Sequence, residues 1–257
     1  MTKLFDPVSK KLVAPRGVRG KELLTQFNRV FPKGTCLEGQ YYNPETDVIA
    51  SLTKGNKLPK PKTTTGSNDM TVLSSPDPSL WKEDYRQVVS IDPALVNLAI
   101  RIERRPLDKT QPITMVHFDK VAVANVIELQ TWLMSLDSFF SSSHIFLIER
   151  QLIRHNPNAG RIFSHLCAFF MTRYAPSGPL IAEVDPKLKS KILKAPKGVD
   201  LKKWSVEEAV KILKGRDDDN SIKIIEKTKK KDDLADTVCQ SQAWWQRFVE
   251  SNEVSVI

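Results

Sequence analysis

QVVSIDPALVNLAIRIERR, residues 87–105, sets the fold. Val88, Val89 and Ile91 make an apolar run, the pattern of a central strand covered on both faces. Asp92 and Pro93 then mark a turn. The following LAIRIERR alternates apolar and charged residues. That period of two predicts a second strand, antiparallel to the first, with one face exposed to solvent.

Downstream the pattern extends this pair into a sheet. ITMVHFDKVAV (113–123) predicts a third strand and NVIELQTWLMSLDSFF (125–140) an amphipathic helix. HIFLIERQ (144–151) is a buried-type strand ending at Glu149, and PLIAEVDP (179–186) is a fifth strand. Between them, AGRIFSHLCAFFMTRY predicts a helix over 159–174, apolar nearly all round. Ile162, Leu166 and Phe170 lie on one side of it and Phe163 and Phe169 on another, which suits a core helix or a shared interface. A helix over about 205–214, a flexible GRDDDN (215–220) and a last helix over about 232–248 complete the chain. The order β-β-β-α-β-α-β-α-α predicts an α/β fold: a mixed sheet of three antiparallel strands, then parallel strands, flanked by helices.

Residues 1–85 differ in texture. GNKLPKPKTTTGSNDM (55–70) and SSPDPS (74–79) offer little to bury. They predict an irregular, partly disordered N-terminal extension with at most a short helix over 20–31, followed by a domain over 86–250.

The 257 residues are 40% hydrophobic and carry a net charge of +9. The excess is local: residues 187–231 hold 15 Lys and Arg against 7 Asp and Glu. Such a segment suits a polyanionic partner, and Lys187, Lys189, Lys191 and Lys194 are the candidate phosphate contacts. Cys36, Cys167 and Cys239 are scattered, and the four histidines lack ligand spacing, so neither a zinc site nor a disulfide framework is expected. This fits a reducing intracellular compartment. No run reaches the ~18 apolar residues of a membrane span, and the N-terminus lacks a secretory core.

KKDDLADTV (230–238) concentrates like charge at the start of the last helix. Acids in a first turn are ordinary complements of the helix dipole, and a lysine run is ordinarily a solvated face. Asp233 and Asp236, however, are three apart and share a face, while Asp232 points elsewhere. Asp92 and Glu149 each end a buried strand. Four carboxylates meeting at one place would repel and resist desolvation. A divalent ion resolves that, and oxygen-only ligands select Mg²⁺ or Mn²⁺, with two ions suited to in-line phosphoryl chemistry. Trp244 and Trp245 read as packing residues, with base stacking as the alternative.

SIDPALVNLAI, FLIERQ and KKDDLADTV, in this order, resemble the RuvC-type Holliday junction resolvases, most of all the branch of large DNA viruses and fungal mitochondria. The resemblance spans residues 86–246. It implies an RNase H-like fold and a homodimer that uses Mg²⁺ to cut two opposed strands of a four-way DNA junction. It also implies that Asp92, Glu149, Asp233 and Asp236 are the catalytic metal ligands. Ala94 departs from the pattern, since a glycine often follows the Asp-Pro pair; a turn needing positive φ would strain an alanine there. Two other functions compete: a related nuclease acting on flaps or hybrids, and a catalytically silent nucleic-acid-binding scaffold.

Overall fold

The computed structural model describes residues 69–151 and 156–251, together with four short strands nearer the N-terminus. The chain divides into two units, Met1–Ser67 and Asn68–Ile257. In the first, β1 (Leu4–Asp6) pairs antiparallel with β2 (Lys11–Val13), and β3 (Gln40–Asn43) with β4 (Val48–Ser51). The helix expected over 20–31, and Cys36, lie outside the described residues.

The second unit is built on a six-stranded sheet. Its strands are β5 (Met70–Ser74), β6 (Tyr85–Asp92), β7 (Leu98–Pro106), β8 (Thr114–Val121), β9 (Ile145–Glu149) and β10 (Leu180–Val184), in the order β5-β10-β9-β6-β7-β8. The predicted mixed sheet is present: β6 and β7, and β7 and β8, pair antiparallel, whereas β9 is parallel to both β6 and β10.

Two expectations are corrected. The compact unit begins at Asn68 rather than 86, because β5 pairs antiparallel with β10 inside the sheet. An edge strand of five residues with little buried surface leaves a weak pattern, and here Ser and Pro on its C-terminal side obscured it. The second correction concerns β7, whose charged side is not exposed. Arg101, Glu103 and Arg105 are buried. Glu103 accepts ion pairs from Arg101 (2.6 Å), Arg105 (2.6 Å) and Arg216 (3.0 Å), and Arg101 also reaches Asp218 at 2.9 Å. Ser241 donates to Glu103 at 2.6 Å. Burial alone would raise the Glu103 carboxyl, but the three guanidiniums hold it well below the usual range. Charges that compensate one another this fully tolerate burial, and alternation in the sequence does not distinguish that from exposure.

Helices cover both faces. On one lie α1 (Val126–Ser135), the single turn α2 (Asp137–Phe140) and α3 (Pro157–Tyr174); Leu133, Phe140, Leu166 and Phe170 pack there against Val89, Ile91, Ile100, Phe146 and Ile148. The apolar residues of α3 are used within the chain: Ile162, Phe163, Leu166 and Phe170 are buried, and Cys167, Phe169 and Met171 pack against the same core. Among the described residues, no large hydrophobic of α3 is exposed.

On the other face lie α4 (Lys187–Ile192), α5 (Leu201–Lys214), α6 (Asp219–Lys227) and α7 (Lys231–Trp244), which runs on into a π-helical turn, Trp245–Val249. GRDDDN is thus a short connection whose end already belongs to α6, with Asp218 capping it by accepting from Ser221 N–H. Both tryptophans are packing residues. Trp244 is fully buried and donates from Nε1 to Met70 Sδ at 3.1 Å, and the Arg105 guanidinium lies 4.9 Å from the Trp245 ring centre. Among the described residues, no helix is long and apolar enough to cross a membrane.

Candidate active site

Strand alternation decides which face the acids join. Val88 packs in the α7-side core, so Ser90 and Asp92 point to that side too. The same count places Glu149 with Ile145 and Leu147. Asp92 and Glu149 end two adjacent parallel strands, β6 and β9, where Ile91 is level with Ile148. The C-terminal edge of parallel strands is where open α/β sheets place their sites. Pro93 brings no N–H and ends β6 there. Ala94 is unstrained: among the described residues the non-glycine positions with positive φ are Lys194, Asp217 and Lys230.

α7 crosses this edge with its N-terminal turn. Lys189, on α4 just after β10, joins the elements: its Nζ lies 2.7 Å from Glu149 Oε2 and 2.7 Å from Asp236 Oδ2. Burial alone would depress this ammonium, yet Glu149, Asp236 and Asp92 outweigh burial and hold its pKa above the usual lysine value. Asp92 has no ion pair among the described residues. Its carboxyl is pushed well up, first by burial and then by Glu149, with Lys189 opposing and Asp236 and Asp233 adding to the rise. Glu149, 8% exposed, is raised by burial and by Asp236 against the pull of Lys189. All three other predicted acids thus act on Asp92, with Lys189 opposing them.

Asp233 is held separately. Lys120 on β8 places its Nζ 3.4 Å from Asp233 and donates to the Lys229 and Lys230 carbonyls at 2.5 and 3.0 Å. This lysine gathers the entry to α7, where Lys230 adopts φ 51°. Burial and the neighbouring Asp232 raise the Asp233 carboxyl, with Lys120 opposing. Asp232 pairs with Lys202 at 3.1 Å and is as partly buried as Asp233 and Asp236. Ser205 on α5, 2% exposed, donates from Oγ to Asp236 Oδ1.

Lys189 is thus moved from the set of candidate phosphate contacts into the acid cluster. Lys187, Lys191 and Lys194 are exposed, and Lys191 pairs with Asp69 at 2.8 Å. Lys189 was assigned to phosphate and not to the acids, and Ser205 and Lys120 were missed. Lys189 had one usable signal, its place directly after a buried strand running parallel to the strand of Glu149. Ser205 and Lys120 had none, because helix packing and strand pairing alone bring them in. Cys167 and Cys239 have thiols pushed up to about 12, chiefly by burial, and are poor ligands.

The donor chemistry suits a hard divalent cation: carboxylate oxygens, with no thiol or imidazole among them. Among the described residues, no three of these groups are drawn together closely enough to form a ready-made metal site. The Lys189 ammonium supplies the compensating charge between two of them.

No family model matches the chain. It is 29% identical over 131 residues to the uncharacterized protein 170L of Invertebrate iridescent virus 6, covering 42% of this chain and 52% of that protein. It is 34% identical over 110 residues to the uncharacterized protein 97L of Invertebrate iridescent virus 3, covering 42% of this chain and 50% of that protein. The chain thus spans about half the length of the curated relatives it matches. Among solved structures it is similar to the yeast mitochondrial Holliday junction resolvase Ydc2, at 15% identity and a TM-score of 0.48 over 66% of this chain and 85% of that one. It is also similar to the fowlpox virus resolvase in complex with Holliday junction DNA (19%, TM-score 0.46, 63% and 97%) and to Thermus thermophilus RuvC (11%, TM-score 0.44, 63% and 96%).

Proposed function

We propose that this protein is a divalent-metal-dependent endonuclease that resolves four-way DNA junctions. One observation carries the reading: Asp92, Glu149 and Asp236, from two strand ends and one helix, bear on one another around the ammonium of Lys189. A structural ion pair needs one acid per lysine. Acids that bear on one another at one partly buried sheet edge cost stability that a binding scaffold has no reason to retain.

Asp92, Glu149, Asp233 and Asp236 would hold the metal, Mg²⁺ or Mn²⁺, in one or two sites. When bound, such an ion activates water and stabilises the charge that develops on a phosphate. The chain's own residues do the rest. Ser205 fixes the Asp236 carboxylate by its hydrogen bond, and Lys189 keeps Glu149 and Asp236 together and offers positive charge beside them. Exposed Lys187, Lys191 and Lys194 attract the phosphate backbone. A junction has two equivalent strands to cut and the chain supplies one set of acids, so the working form is a two-fold homodimer. Its location is wherever branched DNA arises inside the cell.

Synthetic DNA substrates test the reading. With Mg²⁺ or Mn²⁺ present, the protein should cut a four-way junction on two opposed strands, and with chelator it should bind without cutting. Equal cutting of flaps or RNA–DNA hybrids would favour a broader nuclease. Binding with no cleavage under any metal would leave a scaffold and sink the proposal.

A further inference from the structure

Gln240 lies on α7 one turn beyond Asp236 and is buried, with 2% of its surface exposed. Its amide nitrogen donates to Ser90 Oγ at 3.1 Å and to the Leu147 carbonyl at 3.1 Å, and approaches the Ile91 carbonyl at 3.5 Å. Ser90 is two residues before Asp92 on β6, and Leu147 is two before Glu149 on β9. Both therefore point to the same face as the acids they precede. One side chain of the helix thus touches both acid-bearing strands, one layer beneath the acids.

The spacings agree. Four residues of helix advance about 6 Å, and two residues of strand advance about 6.6 Å. When Gln240 is level with Ser90 and Leu147, Asp236 is consequently level with Asp92 and Glu149. A slip of α7 by one residue would turn Asp236 away by about 100° and leave a buried amide without acceptors. We infer that Gln240 is a positioning residue, which sets the register of α7 on β6 and β9 and so brings Asp236 to the two strand-borne acids. The amide does this without adding charge to a pocket already crowded with it. An apolar residue of the same size would fill the space but fix no register, because hydrophobic contact is non-directional.

The inference rests on the acid cluster being the working site, so its test has an arm independent of cleavage. Gln240→Met keeps volume and removes the donor; Ser90→Ala removes one acceptor from the opposite side and serves if the first variant fails to fold. Hydrogen exchange over residues 231–238 of the metal-free protein should speed up by about tenfold or more in Gln240→Met, while the urea midpoint stays near that of the parent. Adding Ser90→Ala to Gln240→Met should change exchange no further. On a four-way junction, kcat should fall by about 100-fold with KM little changed, the usual effect of an ångström-scale misplacement. Unchanged exchange in either variant overturns the inference. So does a loss of kcat that merely follows a loss of global stability. If the parent protein cuts no branched DNA, the endonuclease reading fails and the exchange arm alone decides the role of Gln240.

Discussion

The ammonium of Lys189 stands 2.7 Å from the Asp236 carboxylate and so joins the element that follows β10 to the first turns of α7. Its second contact, Glu149 at the same distance, makes this lysine the charge on which two acids depend. Asp92, which has no such contact among the described residues, bears the uncompensated part of the cluster.

Lys189→Met should therefore destabilise the metal-free protein by on the order of 3 kcal/mol, since removing one partner strands the others in a poorly solvated place. Urea unfolding with chelator present measures this. A loss well under ~1 kcal/mol, the range of exposed pairs, would place the cluster in solvent-screened surroundings.

The acids should not behave alike. Asp92→Asn removes a carboxylate held ionised only at a cost, so metal-free stability should rise. Glu149→Gln and Asp236→Asn each break an ion pair to Lys189, so stability should fall. All three should abolish metal-dependent junction cleavage and leave junction binding largely intact, because ligands act on the transition state and lysines supply phosphate affinity. Asp232→Asn should be mild. Unfolding curves and cleavage gels on the four variants decide this, and equal stability changes at Asp92 and Glu149 would contradict the assigned pairing.

Binding to junction DNA should weaken steeply with salt. Lys187→Gln and Lys194→Gln should each lower the slope of log affinity against log salt by about 1. Lys189→Gln should leave the slope unchanged, because its charge is turned inward. Titrations at several salt concentrations measure the slopes. A slope insensitive to Lys187 and Lys194 would place the phosphates elsewhere on the protein.

His144 predicts an acid-side loss of stability. Its Nδ1 accepts from the Gln87 N–H at 3.0 Å and its Nε2 lies 3.0 Å from Glu83, with Trp81, Tyr85 and Arg86 around it. Burial lowers its pKa below 6.5 against the opposing pull of Glu83. The folded state thus prefers the neutral ring, so stability is retained above 6.5 and lost as pH falls from there through the lower folded-state value. His144→Asn offers an oxygen to the same N–H without titrating. Its melting temperature should fall less than the parent's between pH 7.5 and 5.5, and parallel falls would show that other groups set the dependence.

What could be read from sequence follows from what each signal measures. Val88, Val89 and Ile91 announced a strand buried on both sides, and β6 is that strand. Arg101, Glu103 and Arg105 announced a solvent face and were buried instead, because alternation records polarity and not whether opposite charges meet. Asp92 and Glu149 stood out because each ends a buried strand, and Asp233 and Asp236 because they lie three apart on one face near the start of the last helix. Lys189 was one of fifteen lysines and arginines in its segment, and only the turn after β10 tells it from the rest. Ser205 and Gln240 depend on how α5 and α7 pack, which no local pattern encodes.

The edge position of β5 has a practical consequence for anyone shortening this chain. β10 is apolar but for Glu183 and almost wholly buried, with β9 on one side and β5 on the other. A fragment beginning at residue 86 would strip β5 away and leave the outer N–H and C=O groups of Leu180–Val184 bare, a template for pairing with any passing strand. Such a fragment should aggregate, whereas one beginning at residue 68 should remain dispersed, and light scattering at matched concentration will tell them apart. Five residues that read as part of a tail would then be what keeps the sheet from propagating into its neighbours.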